Sequence, residues 1–233
     1  MVDLNKHKFF LLQLLKDIYT DMEISSSLGF KGGTALMFFY DLPRFSVDLD
    51  FNLLDPAKEK LVYEKVRTIL LKYGGIHDEA MKFHCPVIVL NYGYGERKLK
   101  VEISNRQWDD RYEVKNLLGI DMLVMKEPYM FAHKLCALLD RDEVTSRDIF
   151  DTWFFMQRRT HLSKRTVENR MQIPLDQYLQ ECINLIETVQ DNKLLFGLGE
   201  LMDDEMKKFV RTRLRSETIS LLRMYSAYPL LSE

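Results

Sequence analysis

The chain reads Lys31-Gly32-Gly33-Thr34-Ala35-Leu36 and then Arg44-Phe45-Ser46-Val47-Asp48-Leu49-Asp50-Phe51, and these two runs decide its fold. In the second run apolar residues alternate with Ser46, Asp48 and Asp50, which predicts a β-strand. Side chains two apart on a strand share a face at ~7 Å spacing, so we expect the two aspartates to project together. Because like charges so placed repel, the pair favours a bound divalent cation. An amphipathic edge strand that happens to carry two aspartates is the alternative interpretation.

The glycine pair of the first run precedes an apolar stretch, 35–40, that is long enough for a short helix. Glycine lets a backbone approach a ligand closely, and we expect Thr34 to cap the helix. The start of a helix presents free N–H groups and the positive end of a dipole, which together favour phosphate. The pattern therefore predicts that Gly32, Gly33 and Thr34 hold phosphate.

The segment from Lys31 to Phe51 resembles the first motif of polymerase-β-type nucleotidyltransferases. More narrowly, it is similar to the AbiEii/AbiGii toxin family, whose members read close to K-G-G-T-A-L and then R-x-S-x-D-x-D-F. Weaker similarity continues to about Asp151. The resemblance implies an α+β fold, in which a polymerase-β-like nucleotidyltransferase core has a small mixed sheet flanked by helices and is followed by an all-α C-terminal region.

The chain changes character near its middle. Apolar spacing predicts helices over 4–23 and 57–73, and then two strands over 82–91 and 97–104 that form a hairpin. From about residue 127 onward the pattern is helical almost throughout. We therefore predict a nucleotidyltransferase core in 1–125 and a helical domain in 126–233 that contributes Lys134 and is a candidate for acceptor binding.

Glu102 falls on the polar face of the second hairpin strand, between Val101 and Ile103. Taken alone it is an ordinary exposed strand glutamate. In nucleotidyltransferases of this fold a carboxylate on a neighbouring strand completes the metal site, so the resemblance assigns Glu102 to a metal together with Asp48 and Asp50. The family more often has Asp at this position. The expected metal is Mg²⁺ or Mn²⁺.

The helical half contains two further runs with charged residues at helical spacing. Pro128 suits the first turn of a helix that includes Lys134 and runs to about Leu139, and 146–151 reads as an N-capped helix with Asp148 and Asp151 on one face. These runs resemble the third and fourth motifs of the family, K-x-x-A-x-x-x-R and R-D-I-x-D. The resemblance implies that Lys134 contacts the nucleotide phosphates and that both aspartates shape the site.

The alternative for this half is a solvated salt-bridge face between two helices, in which Arg141 and Arg147 pair with Asp148. The sequence leaves the roles of Arg141, Arg147 and Asp151 open. The family pattern also carries Arg44 and Ser46, which it assigns to phosphate or acceptor; Ser46 could equally support a metal ligand.

Composition fits a compact enzyme without a global attraction to nucleic acid, because 233 residues with 29% charged side chains carry a net charge of −2. Two basic stretches, 157–165 and 207–215, are candidates for RNA contact or solvated helix faces. The three cysteines are odd in number and widely spaced, which favours reduced thiols. With neither a signal core nor an apolar run of membrane-spanning length, we expect a cytoplasmic protein that does not bind membranes.

These observations predict a metal-dependent nucleotidyltransferase that transfers NMP from an NTP to an acceptor. By resemblance, the acceptor is RNA such as tRNA, and the chain is the toxin of a bacterial toxin–antitoxin or phage-defence system with a cognate antitoxin protein. The predicted catalytic residues are Asp48, Asp50, Glu102 and Lys134, and the predicted nucleotide-binding residues are Gly32, Gly33, Thr34, Arg44, Ser46 and Asp148.

Three alternatives stay open at this point. A small-molecule transferase of the aminoglycoside type would use the same carboxylates but needs an acidic pocket for a cationic acceptor. A protein-modifying transferase needs a protein acceptor. A non-catalytic nucleotide-binding module needs neither an acidic pocket nor a protein acceptor. The sequence does not give the donor nucleotide, the acceptor or the oligomeric state.

Overall fold

The computed structural model describes residues 3–82, 85–140 and 144–232. They belong to two compact units, one made of Met1–Asp41 with Phe45–Met125, and the other of Leu42–Arg44 with Lys126–Glu233. The short segment Leu42–Arg44 joins the second unit, although we predicted it in the core. The reason is that the Arg44 side chain bonds to Asp151 of that unit.

A mixed seven-stranded sheet forms the centre of the first unit, as the α+β prediction requires. Its strands in chain order are β1 Leu28–Lys31, β2 Leu49–Leu53, β3 Gly75–Lys82, β4 Cys85–Asn91, β5 Leu99–Ser104, β6 Tyr112–Leu117 and β7 Ile120–Met125. In space they lie in the order β3-β4-β5-β2-β1-β7-β6. The pairs β2–β5 and β1–β7 are parallel and the others are antiparallel. The predicted hairpin is confirmed as β4 and β5.

Three helices accompany the sheet in the described part of this unit, namely α1 Leu4–Thr20, α2 Gly32–Phe39 and α3 Glu59–Leu71. Asp3 begins α1 because its carboxylate accepts the N–H groups of Asn5 and Lys6. The apolar stripe of α1 is fully buried at Leu11, Leu14, Leu15 and Ile18. This burial explains why the predicted helix forms, and it anchors α1 against α3 and β7.

The described part of the second unit has helices as its regular elements, as predicted, together with loops and one isolated β-bridge between Leu162 and Leu231. Its helices are α4 Glu127–Cys136, α5 Ser146–Gln157, α6 Lys164–Met171, α7 Leu175–Thr188, α8 Asp204–Thr212 and α9 Leu214–Ala227. Phe131 of α4 stacks on Phe155 of α5 with ring centroids 5.1 Å apart, and the Tyr178 hydroxyl of α7 donates to the Leu135 carbonyl at 2.9 Å. Thr145 caps α5 by accepting the Asp148 N–H.

The strand predicted over 45–51 begins later, at Leu49. The carbonyls just before it are occupied by side chains: His7 Nε2 donates to the Val47 oxygen at 2.8 Å, and the Thr34 hydroxyl donates to the Asp48 oxygen at 2.5 Å. These bonds take the place of strand pairing at Val47 and Asp48. Asp48 therefore lies immediately before β2 and not within it.

Candidate active site

Asp50 lies at the centre of the sheet, on β2 between β1 and β5. Its cross-strand partners are Lys31 on β1 and Glu102 on β5. Residues in register on neighbouring strands project to the same face, so these three side chains form a row across three strands. The structure thus brings together Asp50 and Glu102, which the sequence predicts to share a metal.

Lys100 joins Asp48 to this group. Its ammonium nitrogen lies 3.0 Å from Glu102 Oε2 and 4.0 Å from Asp48 Oδ2. The three side chains are each about one-third exposed, at 36% for Lys100, 33% for Glu102 and 28% for Asp48. We call Asp48, Asp50, Glu102 and Lys100 the carboxylate cluster.

The carboxylate cluster is short of positive charge. Burial, followed by the negative charge of Glu102, raises the pKa of Asp50, and Lys100 and Lys31 only partly oppose the shift. Burial acts the same way on Glu102, but the Lys100 ammonium, a side-chain hydrogen bond with Cys85 and the charge of Lys31 together outweigh it and lower the Glu102 pKa. Asp50 therefore gains more from a further cation than Glu102 does.

The glycine turn packs against this cluster. Gly32 has φ +79°, in the left-handed region that favours glycine, and a Cβ added there would overlap the Asp50 carboxylate. Gly32 and Gly33 form the first turn of α2, where backbone N–H groups lack helical partners. The close approach at Gly32 is to the Asp50 side chain, and the predicted approach of this turn to phosphate stays a prediction.

Thr34 does not cap α2, so that prediction is wrong. The helix begins two residues earlier, at Gly32, with Lys31 in the capping position and no side-chain capping bond. The Thr34 hydroxyl instead donates to the Asp48 carbonyl at 2.5 Å, which ties the first turn of α2 to the segment that carries the aspartates. Thr34 thus positions Asp48, and its contact with phosphate stays a prediction.

The donor chemistry of the cluster fits Mg²⁺ or Mn²⁺, because carboxylate oxygens are the ligands these ions prefer. The geometry fits only in part. In residues 3–82, 85–140 and 144–232 no three Asp, Glu, His or Cys side chains converge closely enough to share one ion. Since Glu102 contacts Lys100, a three-carboxylate site requires that contact to open. The assignment of Asp48, Asp50 and Glu102 to a metal stays a prediction.

A second charged cluster lies in the second unit and centres on Asp151. The Asp151 carboxylate is fully buried and accepts from Arg44 Nε and Nη2, each at 2.7 Å, while Lys134 Nζ lies 2.7 Å from its Oδ2. Lys134 also lies 4.0 Å from Asp148 Oδ1, and the Thr145 hydroxyl donates to Asp148 Oδ2 at 2.6 Å. We call Arg44, Lys134 and Asp151 the buried ion cluster.

Burial alone would raise the pKa of Asp151, but Arg44 and Lys134 outweigh it and lower the pKa to about 2. The solvated salt-bridge face that we kept as an alternative is therefore wrong for Asp151. Among the described residues no salt bridge joins Arg147 to Asp148, and Arg141 lies outside them. The assignment of Arg44, Lys134 and Asp148 to the nucleotide stays a prediction from the family resemblance.

Ser46 is buried, and its backbone N–H lies 3.4 Å from Met37 Sδ. It precedes β2, so strand alternation does not fix the face to which its side chain points. Its predicted role at phosphate, acceptor or metal ligand stays a prediction.

Acidic neighbours partly neutralise both basic stretches. In 157–165, Arg158 lies 3.8 Å from Glu127 and Lys164 lies 3.6 Å from Glu168. In 207–215, Lys207, Arg213 and Arg215 each pair with a carboxylate, whereas the exposed Lys208 and Arg211 have no salt bridge within the described part of the chain.

Lys100 was not identified from the sequence as a residue of the site, and Lys31 was named only as the first residue of the glycine motif. A signal for Lys100 was present, because residues two apart on a strand share a face and Lys100 precedes Glu102 by two. The proximity of Lys100 to Asp48 and of Lys31 to Asp50 depends on strand order, which no local pattern gives.

A glycine turn packed against an Asp-x-Asp segment, on a mixed sheet flanked by helices, defines the chain as a nucleotidyltransferase. The sequence profile described as nucleotidyl transferase AbiEii toxin, Type IV TA system, matches residues 13–219, and the chain belongs to this family. Membership of a toxin–antitoxin family implies an antitoxin partner.

Two solved structures share the fold. A candidate nucleotidyltransferase from H. pylori has a TM-score of 0.62 at 19% identity, over 97% of this chain and 96% of that one. JHP933 from Helicobacter pylori has a TM-score of 0.61 at 18% identity, over 98% and 95%. No curated protein matches the sequence. Among the described residues, no helix combines the length and the apolar character needed to cross a membrane.

Proposed function

We propose that this chain transfers NMP from an NTP to an RNA acceptor such as tRNA, with Mg²⁺ or Mn²⁺ bound at the carboxylate cluster and pyrophosphate as the second product. One observation carries the proposal: Gly32 is packed against the Asp50 carboxylate. Phosphoryl transfer depends on a phosphate-holding backbone and metal-holding carboxylates in one place, and the packing of the glycine turn against Asp50 supports these roles for the first unit.

The chemistry of each side chain and backbone group in the first unit suggests its role in the reaction. Asp48, Asp50 and Glu102 are the proposed metal ligands, because their oxygens are hard donors and Lys100 and Lys31 offset the charge of Asp50 only in part. The N–H groups of Gly32 and Gly33 point from the start of α2 and bind the terminal phosphates of the nucleotide. A bound divalent ion lowers the pKa of the attacking hydroxyl and offsets charge on the triphosphate.

RNA is favoured as the acceptor by two exposed cations on α8 of the second unit. Lys208 and Arg211 lie three apart on α8, so they share a helix face, and both are exposed. A pair of exposed cations without salt bridges in the described residues suits a phosphate backbone. It does not suit a cationic small molecule, which needs acidic surroundings.

The test offers each of four α-³²P-labelled NTPs with Mg²⁺ to the protein and total bacterial RNA. The wild type is compared with Asp48→Ala and with Asp78→Ala, which removes an exposed carboxylate of β3 in the same sheet. We expect label in a tRNA-sized band with the wild type and Asp78→Ala but not with Asp48→Ala. The labelled NTP then identifies the donor.

Two other outcomes would contradict the proposal. Label on the protein itself, or on an added aminoglycoside, would replace RNA with a different acceptor while keeping the transferase activity. Full RNA labelling by Asp48→Ala would refute the assignment of the carboxylate cluster to the metal.

A further inference from the structure

The proposed function assigns a role to Asp48, Asp50 and Glu102, but none to Lys100, the fourth member of the carboxylate cluster. We propose that its ammonium group is an internal counter-cation that takes the place of the divalent metal, so that the metal binds only by displacing Lys100 from Glu102. This inference rests on the proposed function, because it presumes that Asp48, Asp50 and Glu102 are metal ligands.

The position of the ammonium group is the first argument. Lys100 Nζ lies 3.0 Å from Glu102 Oε2 and 4.0 Å from Asp48 Oδ2, so it bridges carboxylates from two different segments of the chain. A metal ion held by the same two carboxylates would need an oxygen of each within about 2.0–2.1 Å in the case of Mg²⁺, which would place it in the region that the ammonium group occupies. The ammonium group and the ion therefore compete for one place.

Electrostatic repulsion keeps the Lys100 ammonium group and a divalent ion from occupying the cluster together. A dication repels an ammonium group at contact distance twice as strongly as a monovalent ion does. Lys100 can leave because its side chain is 36% exposed and ends a flexible four-carbon stem. Once Lys100 leaves, Glu102 keeps its side-chain hydrogen bond with Cys85 but is no longer held by the ammonium group, so the Lys100 contact accounts for part of the incomplete convergence of the three carboxylates in this structure.

The experiment compares divalent-ion binding by the wild type and Lys100→Met. Metal-stripped protein is titrated with Mn²⁺ alone in a calorimeter, and thermal unfolding is followed with and without Mn²⁺, in the absence of nucleotide. We expect Lys100→Met to bind Mn²⁺ about tenfold more tightly or better, because a competing cation is gone. We also expect its metal-free form to unfold at a lower temperature and its Mn²⁺-induced rise in Tm to exceed that of the wild type.

The chain offers a matched control in Lys115→Met. Lys115 on β6 lies 3.1 Å from Glu113, which makes it another strand lysine paired with a glutamate two residues away, but at the edge of the sheet. Its loss should leave Mn²⁺ affinity unchanged. If Lys100→Met does not fold, Lys100→Gln removes the same charge and keeps a polar side chain.

The outcomes separate this inference from the proposed function. Suppose that the wild type labels RNA, that Asp48→Ala loses Mn²⁺ binding, and that Lys100→Met binds Mn²⁺ no more tightly than the wild type. Lys100 then does not compete with the metal, and only this inference is refuted. If neither the wild type nor Lys100→Met binds Mn²⁺ and no transfer occurs, both fall. Mn²⁺ binding by Lys100→Met alone, or tighter binding than by the wild type, supports the inference.

Discussion

Asp151→Asn tests whether the buried ion cluster holds the second unit together. Asparagine keeps the size of the side chain but removes the negative charge that Arg44, only 3% exposed, contacts through two nitrogens. Removing one partner of a buried ion pair costs about 3–5 kcal/mol. Since whole proteins are stable by about 5–15 kcal/mol, the variant should lose a large fraction of its stability.

The assay uses the two tryptophans of the chain, Trp108 in the first unit and Trp153 in the second. In a Trp108→Phe background, fluorescence during urea unfolding reports the second unit. With an m-value of about 2 kcal/mol per M, the expected loss lowers the urea midpoint by about 1.5–2.5 M.

The effect of Asp151→Asn should depend on pH in a defined direction. The pKa of Asp151 is lowered from 3.8 to about 2 in the folded protein. A carboxylate with a lowered pKa stabilises the fold fully above its unfolded pKa, and this contribution is lost as the pH falls through the folded pKa. The shift corresponds to about 2 kcal/mol of stabilisation by the ionised carboxylate at neutral pH. The difference in stability between wild type and variant should therefore shrink from about pH 4 to pH 2.

Asp191→Asn is the matched control, because Arg215 also holds Asp191 through two bonds, at 2.7 and 3.2 Å, but on the surface. With Asp191 53% exposed, we expect a loss under about 1 kcal/mol. Adding Arg44→Met to Asp151→Asn should recover part of the stability, because the double variant no longer buries the Arg44 guanidinium beside a neutral side chain. The reasoning is refuted if Asp151→Asn costs no more than Asp191→Asn at pH 7.

Two further changes test the glycine turn and the carboxylate cluster. Gly32→Ala should lose about 1–2 kcal/mol from its left-handed backbone and also lose nucleotide transfer, because the new Cβ displaces the Asp50 carboxylate. Gly95→Ala is the control, because Gly95 has φ +75° but open space around it. It should lose a similar amount of stability in urea unfolding and keep full activity. If Gly32→Ala and Gly95→Ala lost the same activity, the argument would be contradicted. Asp50→Asn should raise the Tm of the metal-free protein in EDTA, since burial and Glu102 disfavour its charge. Asp78→Asn, on the exposed face of β3, should leave Tm unchanged; a lower Tm for Asp50→Asn would mean that the carboxylate is already compensated.

Local sequence rules succeeded where apolar spacing alone sets the structure and failed where it does not. The opening helix, the β4–β5 hairpin and the helical second half all follow from periodicity. The β6–β7 hairpin was missed because its two-residue turn is Leu118-Gly119, with both residues at positive φ. A turn of this type usually has Asn or Asp at its first position, so the exposed Leu118 there does not predict one.

The site was predictable to the extent that it lies in one segment. Asp48, Asp50 and Gly32 come from neighbouring motifs, so their proximity follows from short chain separation and one turn. The partnership of Arg44 with Asp151 joins residues 107 apart, and no periodicity or spacing encodes it. Only the fold shows that Arg44 faces a buried carboxylate.

Asp50 and Asp151 are both aspartates beside cationic side chains, yet their pKa values shift in opposite directions. Arg44 and Lys134 overcome burial and lower the pKa of Asp151, so that carboxylate has its counter-charges within the fold. Glu102 adds to burial and raises the pKa of Asp50, so that carboxylate still lacks positive charge. A divalent ion supplies such charge, whereas Asp151 has no need of one. The single run that contains Arg44 and Asp50 therefore serves two purposes: its arginine stabilises the second unit, and its aspartates present the candidate metal site of the first.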